Sequence, residues 1–305
     1  MDIIGKRFRF FLISGVVIVI CIISLTGFGL KAGIEFSSGS QLIISFEEEV
    51  DIGELRQELG NLNYDNTIVQ STGSGNFFIR TAVLSTEEKT QLESGLEDRF
   101  GVLTESGFVN VDPITAGQTA NIAAIAVAVA TVGIMLYVTW AFRRMPKPLR
   151  YGACAIVTLL HDALIAIGVF SILGGILQWE VNLMFITGIL AVIGYSVNNT
   201  VVVFDRIREN LLRHTEQDFE TIVNNSLAES LTRSINTSLT TIVVVLALLL
   251  FVGATIQNFA IVLLIGILAG TYSSLFIAPS LLVVWEKREW RRFVNWLPFT
   301  KTGNR

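Results

Sequence analysis

Long apolar runs separated by short polar breaks dominate the chain. Six runs are long enough for the roughly 20 helical residues that cross a hydrocarbon core. They are about Phe10 to Leu30, Ile122 to Trp140, Tyr151 to Leu177, Leu183 to Phe204, Ser238 to Val252 and Phe259 to Trp285, the fifth being the shortest. Between Lys31 and Gln118 the pattern changes. "QLIISF" (Gln41 to Phe46) alternates as a strand, and "DIGELRQELGNL" places Ile52, Leu55, Leu59 and Leu62 on one helix face. "NTIVQST" and "NFFIRTAV" read as strands joined through Gly73, Ser74 and Gly75. "STEEKTQLESGLEDRF" opens with Ser85 and Glu88 at capping-box spacing and aligns Leu92, Leu96 and Phe100. A strand at about Ser106 to Val111 precedes Pro113. The predicted order is βαββαβ, the split βαβ or ferredoxin-like arrangement, inserted after the first of six membrane helices. The expected organisation is therefore a tail and first helix over 1–30, a small α+β domain over 31–118, helices two to six over 119–286, and a basic tail over 287–305.

Composition agrees with this division. Of 305 residues, 51% are apolar and only 16% charged, which places the chain among polytopic membrane proteins. Lys and Arg cluster in the amino-terminal tail (Lys6, Arg7, Arg9), in the Phe142 to Arg150 connection, in the Asp205 to Asn236 connection and after Trp285. The connections near Gln178 to Asn182 and Ala254 to Asn258 carry none. By the positive-inside rule both termini are expected in the cytoplasm and the 31–118 domain on the outer side of the membrane. The first run is too long for a signal peptide and lacks a small-residue cleavage site, so it is expected to stay as an anchor. Cys21 and Cys154 both fall in predicted helices, which implies no disulfide framework. The net charge of −4 combines an acidic outer segment with basic inner loops, a pattern of topology that points to the lipid bilayer and not to nucleic acid.

The outer domain contains neither His nor Cys, and no polar constellation suited to catalysis. A mechanical or partner-binding role is expected rather than an enzymatic one, with no cofactor and no metal. The run Glu47 to Glu49 reads either as a solvated edge after a strand or as a cation or partner site.

Candidate chemistry lies among polar residues in the apolar runs, because such residues usually face a bundle interior, a partner or water. "TLLHDALIAIG" places His161 and Asp162 in the third helix. An imidazole titrates near neutrality and burial favours a neutral carboxyl, so the pair is either a proton shuttle or a structural hydrogen bond near the inner interface. "ESLTRSINTSLTT" introduces the fifth helix with Arg233, Asn236, Thr237, Ser238, Thr240 and Thr241. Arg233 either snorkels to the inner surface or lies on a wetted functional face. In "GYSVNNTVVVFDRIREN", Ser196, Asn199 and Thr200 share a helix face by their spacing, beside Asn198, while Gly188 and Gly194 are expected to let a neighbour approach. These amides and hydroxyls read as interhelical hydrogen bonding or as part of a proton path.

Five blocks together, "GIEFSSGS", "TLLHDALIAIGVF", "GYSVNNTVVVFDRIREN", "LTRSINTSLTT" and "FAIVLLIGILAGTYSSLFIAPSLL", resemble the signature blocks of the SecF family. The resemblance covers essentially the whole chain. It implies half of a resistance-nodulation-division-type helix bundle, with SecD supplying the other half, and partners in the SecYEG channel, YajC and exported preproteins. It further implies proton-driven assistance to late steps of protein export. The Arg of that family's "LTRSINTSLTT" block corresponds to Arg233, whereas the carboxylate of its "NDT" block is replaced here by Asn199, next to a matching Asn198. An amide cannot titrate, so the resemblance leaves Arg233 to face a titrating group from the partner. Glu35 and Ser38 depart from the family's "GIDFTGG"-like block. Two other readings compete: an exporter of lipids or small molecules on a related bundle, and a scaffold that stabilises the channel without moving protons.

Overall fold

A computed structural model describes residues 2–65, 67–71, 75–143, 145, 147–213, 216–251 and 254–289. In chain order, a 3-10 turn Ile4–Lys6 leads into α1 (Arg7–Gly27), followed by a short α2 (Ile34–Ser37) and β1 (Gly39–Phe46). Next come α3 (Ile52–Asn61), β2 (Ile68–Ser71), β3 (Asn76–Thr81), α4 (Thr86–Phe100) and β4 (Leu103–Val111). The rest is helical: α5 (Pro113–Ala141), α6 (Pro148–Leu177), α7 (Leu183–Arg213), α8 (Phe219–Phe251), α9 (Ala254–Tyr272), a π-turn Ser273–Ile277 and α10 (Ala278–Lys287). Among the described residues, six helical segments are long and apolar enough to cross a membrane, α9, the π-turn and α10 counting as one.

The helices run further than the apolar runs predict. α7 continues to Arg213, and α8 begins at Phe219, so Arg233 and Asn236 lie well inside a helix instead of introducing one. Neither 205–213 nor 219–237 contains Gly or Pro, and nothing in either stretch stops helix propagation once the apolar turns have nucleated it. Hydropathy marks where hydrocarbon begins, not where a helix ends. In the last span, Pro279 has no N–H to donate and would clash with the carbonyl of Leu275; the backbone widens there into the π-turn.

Two compact units emerge, one of residues 1–29, 127–172 and 187–305, the other of 30–126 and 173–186. In the second, all strand pairs are antiparallel in the order β2-β3-β1-β4, with a register shift of β1 against β4 at Ile43/Ile44. The element order is the βαββαβ expected from periodicity. Leu42, Ile44, Val69, Phe77 and Ile79 from the sheet meet Leu55, Leu59, Leu92 and Leu96 from α3 and α4 in one core, with the predicted Ile52, Leu62 and Phe100 packed around it. β4 starts three residues before the expected strand; the predicted turn residues Gly73 and Ser74 lie outside the described residues. The connection between α6 and α7 belongs to this unit. Gly33 N donates to Val181 O at 2.7 Å, Val181 N donates to Lys31 O at 2.7 Å, and Arg80 ion-pairs with Glu180. Burial pushes the Glu180 carboxyl up, against the opposing pull of Arg80.

The expected capping box is formed. Glu88 N donates to Ser85 Oγ at 3.2 Å and Ser85 N donates to Glu88 Oε2 at 2.8 Å. Ser85→Ala should cost about 1 kcal/mol, seen as faster hydrogen exchange of the first α4 amides in the intact detergent-solubilised protein. The Ser85 backbone N–H, and secondarily its hydroxyl, hold the Glu88 carboxyl below its usual value. A carboxyl depressed by folding stabilises above its unfolded pKa and loses that contribution as pH falls through the folded one. Exchange protection of the α4 start should accordingly decline on acidification below the ordinary glutamate range, and Glu88→Gln should remove that dependence.

Candidate functional site

Asp162 is fully buried in the helical unit. The hydroxyls of Ser196 on α7 and Ser273 in the π-turn donate to its Oδ2 at 2.5 and 2.7 Å. Its Oδ1 lies 2.8 Å from His161 Nδ1, and His161 Nε2 lies 3.0 Å from Ser14 Oγ on α1. Each helix reaches this point for a local reason. The π-turn at Pro279 re-aims the chain so that Ser273 faces α6. Gly270 lets α9 approach, since a Cβ there would sit 3.3 Å from Ser196 Cα and 3.5 Å from Asp162 Oδ2. Four segments thus surround a carboxylate that has two hydroxyl donors and an imidazole within hydrogen-bond distance. Such a group can be held charged without water, and can exchange a proton with the His161 ring or along the serine hydroxyls.

The structure sorts the remaining candidates onto two faces. On α7, Ser196, Asn199 and Thr200 are buried, as their spacing predicts, while Asn198 and Gly194 lie exposed on another face. Gly188 does admit a neighbour, since a Cβ there would sit 3.0 Å from Val262 Cγ1, whereas Gly194 meets nothing of this chain within 4 Å. The close approaches belong instead to Gly266 and Gly270, where α9 crosses α7 at Val192 and Ser196. On α8, Arg233, Asn236, Thr237 and Thr240 are exposed. The intervening Ser226, Ser230, Ser234 and Ser238, each four residues apart, are buried.

Among the described residues the Arg233 side chain has no hydrogen-bond or ion-pair partner, while its carbonyl accepts from the Thr237 hydroxyl at 2.9 Å. It borders a surface groove of about 210 Å³ with Phe142, Val201, Val202, Asp205 and Arg208. Among the described residues no hydrogen bond or ion pair joins its side chain to Asp162 or Asn199. The Asn199 amide nitrogen and the Thr200 hydroxyl are buried and unpartnered. Sequence reasoning omitted Ser14, a lone hydroxyl in an apolar run, and Ser273, one of the hydroxyl cluster Thr271 to Ser274, and did not separate the two faces of α8. The four-residue serine period was the available signal for the latter.

Residues 95–288 match the family described as protein export membrane protein SecD/SecF, C-terminal. The protein translocase subunit SecF of Thermobaculum terrenum is 42% identical over 304 residues, covering 96% of each chain. That of Anaerolinea thermophila is 39% identical, covering 97% of this chain and 96% of its own. The protein translocase subunit SecDF of Bacillus subtilis is 36% identical over 95% of this chain, which spans 39% of that longer protein. The crystal structure of SecDF from Thermus thermophilus, a translocon-associated membrane protein, superposes with a TM-score of 0.85 at 28% identity, covering 94% of this chain and 39% of that one. Matched over nearly its full length to SecF subunits and to the corresponding part of SecDF, the chain belongs to the SecD/SecF family of protein-export membrane proteins as a SecF-type translocase subunit.

Proposed function

We propose that this subunit, joined to a SecD partner, couples the proton-motive force to late steps of preprotein export through the SecYEG channel, with YajC as a further associate. Both termini then lie in the cytoplasm and the sheet domain outside, following the Lys and Arg distribution. The observation that carries the reading is Asp162, the one fully buried carboxylate among the described residues, set in a hydrogen-bonded cluster at the junction of four membrane segments. A buried carboxylate that can gain and lose a proton is a means of converting a gradient into helix movement, because its two charge states demand different surroundings. Asp162 and His161 hold the proton within this chain.

The exposed polar face formed by Gly194 and Asn198 on α7, and by Arg233, Asn236 and Thr237 on α8, is the surface for the SecD half. An Arg in a membrane requires a partner or water. Arg233 pairs with a carboxylate from the corresponding SecD helix, while Asn199 remains an uncharged amide in the bundle. The fused relatives, in which a chain like this one forms part of a longer SecDF, support that pairing.

In inside-out vesicles carrying this chain and its partner, the gradient-dependent increment of preprotein translocation should fall at least about tenfold for Asp162→Asn and for Arg233→Met. Survival of that increment in Asp162→Asn would place the proton on another group, whereas the scaffold reading predicts no increment in the unaltered chain and no effect of a protonophore. Asn198→Leu and Gly194→Leu should reduce co-purification with SecD while leaving this chain folded. Asn199→Asp should not raise gradient-dependent export; a large rise would assign the proton to α7.

A further inference from the structure

The buried side chains of α1 are Arg7, Ser14, Cys21 and Ser24, none of them a large apolar group, so the height of this helix in the bundle depends on individual contacts. At its start Arg7 ion-pairs with Glu220 and Glu289 at 2.7 and 2.6 Å. Towards its end Cys21 rests on Gly168, where a Cβ would sit 2.2 Å from its own, and Ser24 donates to Ser171 Oγ at 3.1 Å. Between these points lie two further contacts. Ser14 Oγ meets His161 Nε2, and one turn earlier the Tyr272 hydroxyl donates to Phe10 O at 2.9 Å.

Tyr272 is the last residue of α9 and directly precedes Ser273, the π-turn hydroxyl that donates to Asp162 Oδ2 at 2.7 Å. Successive helical side chains diverge by about 100°, so one residue addresses α1 while the next addresses α6. The Phe10 carbonyl is also the i−4 position for the Ser14 N–H, and a carbonyl oxygen has two lone pairs to share. Tyr272 is thus covalently next to the donor of the carboxylate and hydrogen-bonded to the turn that carries the contact of the imidazole. Its ring lies 5.4 Å from that of Phe276 and 6.5 Å, edge-on, from that of Phe10, and the Phe10 and Phe276 rings stack at 4.5 Å. Apolar contact is non-directional and lets rings slide; the hydroxyl fixes the height of one helix against the other.

We infer that Tyr272 is a positioning residue for the His161–Asp162 pair: by tying the Phe10 to Ser14 turn of α1 to the π-turn, it holds Ser14 on the imidazole and Ser273 on the carboxylate at once. The inference rests on the reading of Asp162 as the proton-holding group. Among the described residues no hydrogen bond joins Tyr272 itself to His161 or Asp162, so it acts through the two serines. These come from opposite ends of the chain and share no local constraint; the Tyr272 bond, across 262 residues, supplies one. Hydrogen bonds weaken steeply as distance and angle depart from ideal, and a displacement of about 1 Å within a site costs up to roughly 100-fold in rate.

The other neighbours of the pair are located by other means. Ser196 donates to the same Asp162 oxygen, but its helix is set against α9 at Gly266 and Gly270. Arg7, two turns before Ser14, fixes the start of α1 and leaves the π-turn untouched. The groups that face the pair from the packed elements are Ser14 from α1, Ser196 from α7 and Ser273 from the π-turn, and none of these hydroxyls ionises near neutral pH. A changed pH response on loss of the neutral Tyr272 hydroxyl therefore reports displaced dipoles and not a lost charge.

The test uses the assembled complex with the SecD partner in inside-out vesicles. Tyr272→Phe removes one oxygen and keeps the ring stack; the ratio of gradient-dependent to gradient-independent translocation should fall about tenfold, with the yield of complex retained. The pH profile of the remaining increment should move in the same direction as in Ser273→Ala, by about one pH unit, the equivalent of a tenfold change. In a Ser14→Ala, Ser273→Ala background Tyr272→Phe should add less than about twofold, because groups that act as a unit are not additive; each serine variant alone supplies the cycle if the double variant leaves no increment to measure. An unaltered ratio in Tyr272→Phe would overturn the inference. So would full additivity with the serine variants, or a loss of complex that matches the loss of the increment, since either is the mark of general packing. A surviving increment in Asp162→Asn would instead overturn the reading of Asp162, and this inference with it, even where Tyr272→Phe lowers the ratio.

Discussion

A carboxylate taken out of water loses several kcal/mol of solvation that only well-placed dipoles restore. Asp162 recovers it from Ser196, Ser273 and His161, the last in turn held by Ser14. This requirement fixes where four helical segments must meet. It accounts for Gly270, whose missing side chain admits α9 to the cluster, and gives a purpose to the π-turn that Pro279 imposes, since that turn aims Ser273 at the carboxylate. Without these contacts the bundle would enclose an uncompensated charge.

α8 shows how a helix can serve two environments. Its serines every fourth residue pack against α7 and α9, where Thr271 donates to Ser238 at 2.6 Å. The residues between them, Arg233, Asn236 and Thr237, point away from the rest of this chain. In an apolar medium such a face is costly unless another surface covers it. The half-bundle is in this sense unfinished, in keeping with relatives in which a chain like this one is one part of a longer SecDF.

Fold and site differed in how far they could be read from local pattern. The six spans were legible because lipid demands about 20 apolar residues wherever a helix crosses, and the sheet unit because strand and helix periods differ. Ser85 and Glu88 specified their cap through a contact three residues apart. The extents of α7 and α8 were not legible from hydropathy, since polar residues propagate a helix as well as apolar ones do. Gly194 meets no neighbour within this chain, because a glycine signals that approach is allowed, not which chain approaches.

The sequence by itself determined the membrane class, the helix-forming runs, the βαββαβ order and the presence of His161, Asp162, Asn199 and Arg233. These follow from composition, periodicity and residue identity, which are local. Only the tertiary structure decided that Asp162 is enclosed while Arg233 faces outward, and that Asn199 is buried without donating to the Asp162 oxygens. The carboxylate's hydroxyl donors lie 34 and 111 residues away along the chain, and the Ser14 contact of its imidazole neighbour 147. Contacts at such separations depend on helix crossing and rotation, which no local pattern encodes, because the same hydroxyl can bond its own helix, a neighbour or water at similar free energy.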